Sequence, residues 1–460
     1  MKDLTTGHEG KTIFLFSLPM LIGSLFQQLY NTADSIIVGR FLGKEAMAAV
    51  SGAFPIMMLL MSLLMGIGLG FSILISQYYG AKDMDKVKLT IDTTFIFVFI
   101  SSVIITTIGI LFCNPILKLM NTPENVFEQC RLYLIVIFAG TLFSVGYNSI
   151  SAILRGLGDS ITPLYFLVIA TILNIILDIV FIINFNMGVE GVALATIIAQ
   201  GISFLCSVVY LNKKHNILKV KFTGLRFDKS IFKEGLRLGI PSGLQQMLFS
   251  FGNIALQSLV NNFGTSAMAA FGAGSKVESF ISLPIMNLGA AVSTFVAQNI
   301  GANKMDRVKN GLKSSLKIAL VISISVTLLL ILFSKNLIGL FNNDADVISI
   351  GSTYLLIIGP FFIFISSSYI LTSAIKGAGD SMFALISSII SLWLVRIPGA
   401  YLFASIFDVN GIWMGIPSGW VIGAIITFVY YRSGHWKSKG LMTNMQVATD
   451  SVDDLDTEEN

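Results

Sequence analysis

Landmarks in this chain recur once each, at one fixed spacing. The segment Gln77, Tyr78, Tyr79, Gly80, Ala81 through Met84, Asp85, Val87 and Lys88 returns 221 residues later as Gln298 to Gly301, Ala302, Met305, Asp306, Val308 and Lys309. At the same offset Ala46-Met47-Ala48-Ala49 matches Ala267-Met268-Ala269-Ala270, Gly156 to Ser160 matches Gly377 to Ser381, and Tyr133 matches Tyr354. Chance does not hold one register across so many separated matches. The two halves therefore read as copies of one structural unit, which is the first constraint on any fold.

The solvent of this unit is lipid. Hydrophobic residues make up 54% of the chain and charged residues only 12%, with 35 phenylalanines. A water-soluble domain carries roughly 25% charged residues. The long apolar runs meet the requirement of about 20 residues for crossing a hydrocarbon core. Twelve helices are expected, near 13–38, 46–76, 89–112, 128–153, 161–184, 191–212, 232–260, 268–297, 310–333, 350–375, 383–406 and 412–432. The first run is too long for a signal peptide and lacks a small-residue cleavage site, so it is expected to stay in the protein. An all-α polytopic membrane protein follows, and internal repeats are how many secondary transporters are built.

Basic residues orient it. With both termini in the cytoplasm, the inner segments and termini hold 23 Lys and Arg, against five in the outer loops: Arg40, Lys44, Lys118, Arg131 and Lys335. That is a strong positive-inside bias. The net charge of +4 thus reports topology, and gives no support to a nucleic-acid partner. Six helices per half return the chain to its starting side, so the lobes should be related by a pseudo-two-fold axis along the membrane normal. The expected division is a first lobe over 1–222, a second over 223–440 and an acidic, disordered cytoplasmic tail over 441–460, with the basic stretch from Lys213 to Arg237 as connector.

Several chemistries find no footing. The number and spacing of Cys113, Cys130 and Cys206 suggest no metal site or disulfide framework; Cys113 and Cys130 both sit near outer helix ends, where a bridge is conceivable, but they are read as free, buried thiols. His8, His215 and His435 all fall in cytoplasmic segments. Gly7-His8-Glu9-Gly10-Lys11-Thr12 glances at a phosphate loop but has Thr5 where the first glycine belongs, and no strand precedes it. No cofactor, ATP hydrolysis or enzymatic constellation is expected, so any pumping must draw on an ion gradient.

Carboxylates at membrane depth carry the functional argument. Asp34 sits deep in the first helix, where Ser24, Gln27, Asn31 and Asp34 follow at helical spacings and share a face. Asp178 is the second buried acid, with Asn174 one turn before it. An acid at the bilayer centre costs at least ~2.5 kcal/mol and needs a partner or water. One reading is a structural polar cluster of neutral, hydrogen-bonded acids. The other is a coupling-ion site, because two adjacent carboxylates cannot both ionise without a cation.

The repeat does not copy these charges. Asp34 falls against Leu256 when Pro19 is aligned with Pro241, and Asp178 falls against Gly399. The second half instead places Lys276, Glu278 and Arg396 within its spans, a candidate second polar site in which Arg396 could answer Glu278. Ion coupling is therefore assigned to the first lobe. The two Gly-x-Gly-Asp-Ser turns are read as helix connections with Asp as cap. The stripe Met57, Met61, Met65 is read as helix packing.

The run Asn31-Thr32-Ala33-Asp34-Ser35 continuing to Gly43, together with Arg155-Gly156-Leu157-Gly158-Asp159-Ser160 and Asn174 to Asp178, resembles the multidrug and toxic compound extrusion (MATE) family, most closely its DinF-like prokaryotic branch. The resemblance covers residues from about 10 to 435. It implies an antiporter in the cell membrane exporting small organic, cationic or amphiphilic compounds in exchange for Na⁺ or H⁺, working as a monomer. It further implies a first-lobe cation site built from Asp34, Asn174, Asp178 and Thr196, with Gln27 and Asn31 as supporting polar groups. Another branch carries a seventh-helix Glu that this chain lacks, since the matching stretch reads Gln245 to Ser250. The rival within the same superfamily is a flippase for a lipid-linked oligosaccharide, for which a groove richer in Arg is expected.

Overall fold

The computed structural model describes residues 3–214, 219 and 224–439, and among these it contains helices and no strand. The helices are α1 Glu9–Ile37, α2 Gly43–Gly80, α3 Met84–Leu119, α4 Glu124–Ala139, α5 Thr141–Gly156, α6 Ile161–Ile183 and α7 Val189–Lys214. They continue as α8 Lys229–Asn261, α9 Thr265–Gly301, α10 Met305–Gly339, α11 Ala345–Ile358, α12 Phe362–Gly377, α13 Ser381–Ser388 and α14 Ile397–Ser433.

These segments make twelve crossings. A π-helix, Val38–Leu42, and a left-handed Gly43 separate α1 from α2. α4 and α5 form one span bent by 52°, and α11 and α12 form another, joined by a 3-10 turn over Gly359–Phe361. A π-helix, Ile389–Arg396, joins α13 to α14. α14 is two helices, broken where Phe407 and Asp408 leave helical geometry.

The repeat is visible in the backbone. Positive φ angles recur one repeat apart at Gly43 and Gly264, at Lys82 and Asn303, and at Gly158 and Gly379. Each reverses the chain between two crossings. Asp83 and Asp380 cap the helices that follow, accepting from Lys86 N and Phe383 N at 3.0 and 3.1 Å. Side chains repeat as well. Leu119 on α3 and Leu340 after α10 are 83% and 77% exposed, and Leu111, Phe112, Leu332 and Phe333 are exposed with them. Such faces suit lipid, where apolar side chains need no protein cover.

Two compact units divide the chain. One is Leu18–Gly239; the other joins Asp3–Ser17 to the segment beginning at Ile240. The division expected at 222/223 thus falls later, because α8 begins by packing on the first unit: a Cβ on Gly235 would meet the Phe71 ring, and one on Gly239 would meet the backbone of Ile67. In the first unit Ala46, Ala49 and Ala53 let α2 pack tightly beside Cys113, Cys130 and Phe138. In the second, Ala267, Ala270 and Ala273 do so beside Tyr354 and Trp413.

The first seventeen residues depart from the expected first lobe. Leu4 is fully buried, its amide donates to Gln298 Oε1 at 3.2 Å and its carbonyl accepts from Asn299 Nδ2 at 3.2 Å. Arg307 donates to Gly7 O at 2.8 Å and Thr6 O at 3.1 Å, and pairs with Glu9. The stretch that glanced at a phosphate loop is a strap fastened to the second unit. Residues 441–460 and most of the connector between 215 and 223 lie outside the described residues.

Candidate functional site

α1, α6 and α7 of the first unit bring the expected residues together. Asn174 and Asp178 lie one turn apart on α6 and are completely buried. Asp34 on α1 is half-buried, and its carboxyl group lies within hydrogen-bonding reach of that of Asp178. The Asn174 amide links them. With Nδ2 toward the acids it donates to Asp34 Oδ1 at 2.9 Å and to Asp178 Oδ2 at 3.3 Å, while its oxygen accepts from Thr196 N at 3.3 Å. Asp178 Oδ1 is buried with no hydrogen-bond partner.

The chemistry follows from that geometry. Two carboxyl groups, an amide and a hydroxyl converge in protein interior without a histidine, a thiolate or a basic side chain. Hard oxygen donors suit an alkali cation, and a carboxyl pair suits a shared proton. Among the described residues there is no cluster of three or more His, Cys, Asp or Glu that could hold a metal ion.

Tyrosines complete the site. The Tyr30 hydroxyl lies 3.1 Å from Thr196 Oγ1 and hydrogen-bonds Asp34 one turn further along α1. Tyr133 of α4 is buried and faces both acids. The sequence held a signal for each, in the i, i+4 spacing of Tyr30 to Asp34 and the repeat match of Tyr133 to Tyr354. Gln27 and Asn31 are exposed, and the Asn31 carbonyl accepts from Ser35 Oγ at 2.9 Å.

The second-unit charges separate. Lys276 is exposed, with its ammonium 5.5 Å from the Phe341 ring centroid. Two residues on, Glu278 lies on another side of α9 and accepts from the Tyr354 hydroxyl. Arg396, at the end of its π-helix, is buried and faces Glu278 and Tyr354. Met57 and Met61 pack against the first-unit core, whereas Met65 is exposed. Cys113 and Cys130 are free and buried, as expected, and Cys206 is free and exposed. In both Gly-x-Gly-Asp-Ser turns the Asp oxygens engage the next helix and a tyrosine. Asp159 accepts from Thr162 N and Oγ1 at 3.0 and 2.8 Å, with Tyr210 joined through Thr162, and Asp380 accepts from Tyr430.

A doubled six-helix membrane scaffold with an acid pair at its helical core defines an ion-coupled secondary transporter. Comparison with known proteins identifies which. The family model MatE matches residues 19–180 and 241–402, one match in each half. The probable multidrug resistance protein YoeA of Bacillus subtilis is 34% identical over 95% of this chain and 96% of its own length. A FAD transporter of Shewanella oneidensis is 27% identical over 91% of this chain and 94% of its own. A solved outward-facing multidrug resistance MATE family transporter of the MOP superfamily superposes with a TM-score of 0.88 at 27% identity, covering 94% of this chain and 98% of that one. The chain belongs to the MATE family of multidrug efflux transporters, twelve-helix membrane proteins in two lobes that move small molecules and are not enzymes.

Proposed function

We propose that this transporter is an antiporter of the cell membrane, both termini cytoplasmic, that exports small cationic or amphiphilic organic compounds in exchange for Na⁺ or H⁺. Asp34, Asn174, Asp178 and Thr196 form the coupling site, with Tyr30 as a further oxygen. The observation that carries this reading is the convergence of the Asp34 and Asp178 carboxyl groups on one buried amide, that of Asn174, beside the Thr196 and Tyr30 hydroxyls. The Asn174 amide nitrogen bridges the two carboxyl groups. A cation entering between the carboxyl groups is met by their oxygens, with the Thr196 and Tyr30 hydroxyls beside it. The positive ion cancels the repulsion of the acids and lets α1, α6 and α7 repack around a neutral centre. One charge moving down 100 mV releases ~2.3 kcal/mol, roughly a fifty-fold ratio of cargo at equilibrium. The acidic first-lobe centre supports cationic cargo, and the inner excess of Lys and Arg supports the orientation.

The test is ethidium uptake into inverted membrane vesicles, with the sodium and proton gradients collapsed separately. Collapse of one gradient stops uptake in the wild type, and Asp34→Asn abolishes the dependence on it. Wild-type, gradient-driven uptake by Asp34→Asn removes Asp34 from the coupling site. FAD tried as cargo in the same vesicles separates cationic from anionic specificity.

A further inference from the structure

The two lobes hold polar centres at matching places in the repeat, with opposite charge logic. Tyr133 and Tyr354 are one repeat apart. Tyr133 faces the acid pair Asp34 and Asp178; Tyr354, fully buried, donates to Glu278 Oε2 and faces Arg396. The position matching Asp178 is Gly399, which lies three residues, about one turn, beyond Arg396. The first lobe thus offers two acids to a mobile cation. The second carries one acid and a cation tethered to the chain.

That tethered pair is held open. Arg396 is 7% exposed and its Nε is buried without a hydrogen-bond partner, while the Glu278 carboxylate is engaged by Tyr354. A guanidinium stays charged at every accessible pH, so Arg396 cannot relieve its burial by releasing a proton. Its backbone is pinned, since a Cβ on Gly419 of α14 would press into Arg396 Cβ at 2.7 Å. It also closes an eight-residue π-helix, a distortion that recurs at functional sites. Glu278 is half-buried and so reachable by water. On the helices packed against α9, Tyr354 of α11 is the titratable group that hydrogen-bonds it. Tyr369 of α12 lies against Gly289, about three turns away, Lys335 of α10 is exposed and Lys276 covers Phe341.

We propose that Glu278 is a second exchange site, binding a proton in the second lobe, with Arg396 as its built-in counter-ion. It rests on the antiport reading for its place in a transport cycle, but not for its chemistry. In the protonated form the carboxyl group stays with Tyr354 and Arg396 is unanswered. When the O–H bond breaks, the proton passes to water and its electron pair stays on the carboxylate. The new negative charge draws the Arg396 guanidinium across to it. The lobe therefore alternates between a net +1 centre, open, and a neutral one, closed, through the side chains of α9, α11 and the π-helix.

The experiment is an infrared pH titration of the full-length protein in lipid, following the protonated-carboxyl C=O band. The expected result is a titrating band that Glu278→Gln removes and the Asp34→Asn/Asp178→Asn double variant retains. In Arg396→Gln the same band persists to higher pH, by about tenfold or more in proton affinity, because the compensating charge is gone. The neutral pair Glu278→Gln/Arg396→Gln, which leaves no lone buried charge, must lose the band as well and covers the case in which a single variant misfolds. The proposal is overturned if Glu278→Gln and the neutral pair keep every titrating band of the wild type, or if removing Arg396 leaves the midpoint unmoved. Failure of the first-lobe reading shows separately, as gradient-driven ethidium uptake surviving in Asp34→Asn while the Glu278 band still titrates.

Discussion

The Thr106 hydroxyl of α3 donates to the backbone carbonyl of Phe138 at 2.6 Å. That carbonyl lies where the helix breaks at Gly140, between α4 and α5. One repeat later Thr327 of α10 donates to the carbonyl of Gly359 at 2.8 Å, at the break between α11 and α12. Each of these carbonyls also accepts from a backbone N–H at its break, Gly140 for Phe138 and Phe362 for Gly359, and in both lobes a threonine on the neighbouring helix adds a second donor. Thr106→Val and Thr327→Val are each expected to lower stability by about 0.5–1.5 kcal/mol, the net worth of one hydrogen bond, since each carbonyl keeps its backbone donor. Thermal unfolding of the purified variants in detergent checks this, and near-equal losses are expected because the two sites are built alike.

Tyr30 holds Thr196 from across the first-lobe site at 3.1 Å. Tyr30→Phe keeps the ring and removes that contact, so the Thr196 hydroxyl and Asp34 each lose a partner. A net hydrogen bond is worth about 1 kcal/mol, which predicts a roughly five-fold weaker apparent affinity for the coupling ion. The half-maximal ion concentration for ethidium transport measures it. An unchanged value would remove Tyr30 from the site.

The two Gly-x-Gly-Asp-Ser turns are tight for the same reason but not to the same degree. A Cβ on Gly156 would lie 2.9 Å from the carbonyl of Ser72, and one on Gly377 would lie closer still to that of Ser293. Backbone oxygen cannot step aside as a flexible side chain does. Gly156→Ala and Gly377→Ala should each cost about 1–3 kcal/mol by overpacking, Gly377→Ala the more. Comparing their melting temperatures decides the order.

The amino-terminal strap is fixed by burial as well as by hydrogen bonds. Leu4 is 0% exposed and sits beside the fully buried Gln298 and Asn299. Leu4→Ala should destabilise the strap's attachment by about 2–5 kcal/mol, as for other buried leucines. Hydrogen exchange should then show faster amide exchange in residues 3–12 and at the start of α10, with α3 unaffected.

Much of the site could be read from the chain because charge at lipid depth is rare. Asp34, Asn174 and Asp178 stand out within apolar runs, and helical spacing alone places Asn174 one turn from Asp178. Tyr30 did not stand out, since a tyrosine in a membrane helix is unremarkable until its hydroxyl is seen to meet Thr196. Lys276 and Glu278 show the converse. Two residues apart on a helix they point in different directions, and only the packing of Phe341 and Tyr354 shows that one leaves the polar centre and the other enters it.

The sequence alone determined the doubled unit, the lipid solvent, the number of crossings and which acids fall within apolar runs, because periodicity, hydropathy and repeat register are local properties of the chain. Tertiary structure decided where the units divide, which tyrosines join the carboxylates and that residues 3–17 fasten to the second unit. Those outcomes depend on which faces of distant helices meet, and contacts across two or three hundred residues leave no spacing in the sequence to read.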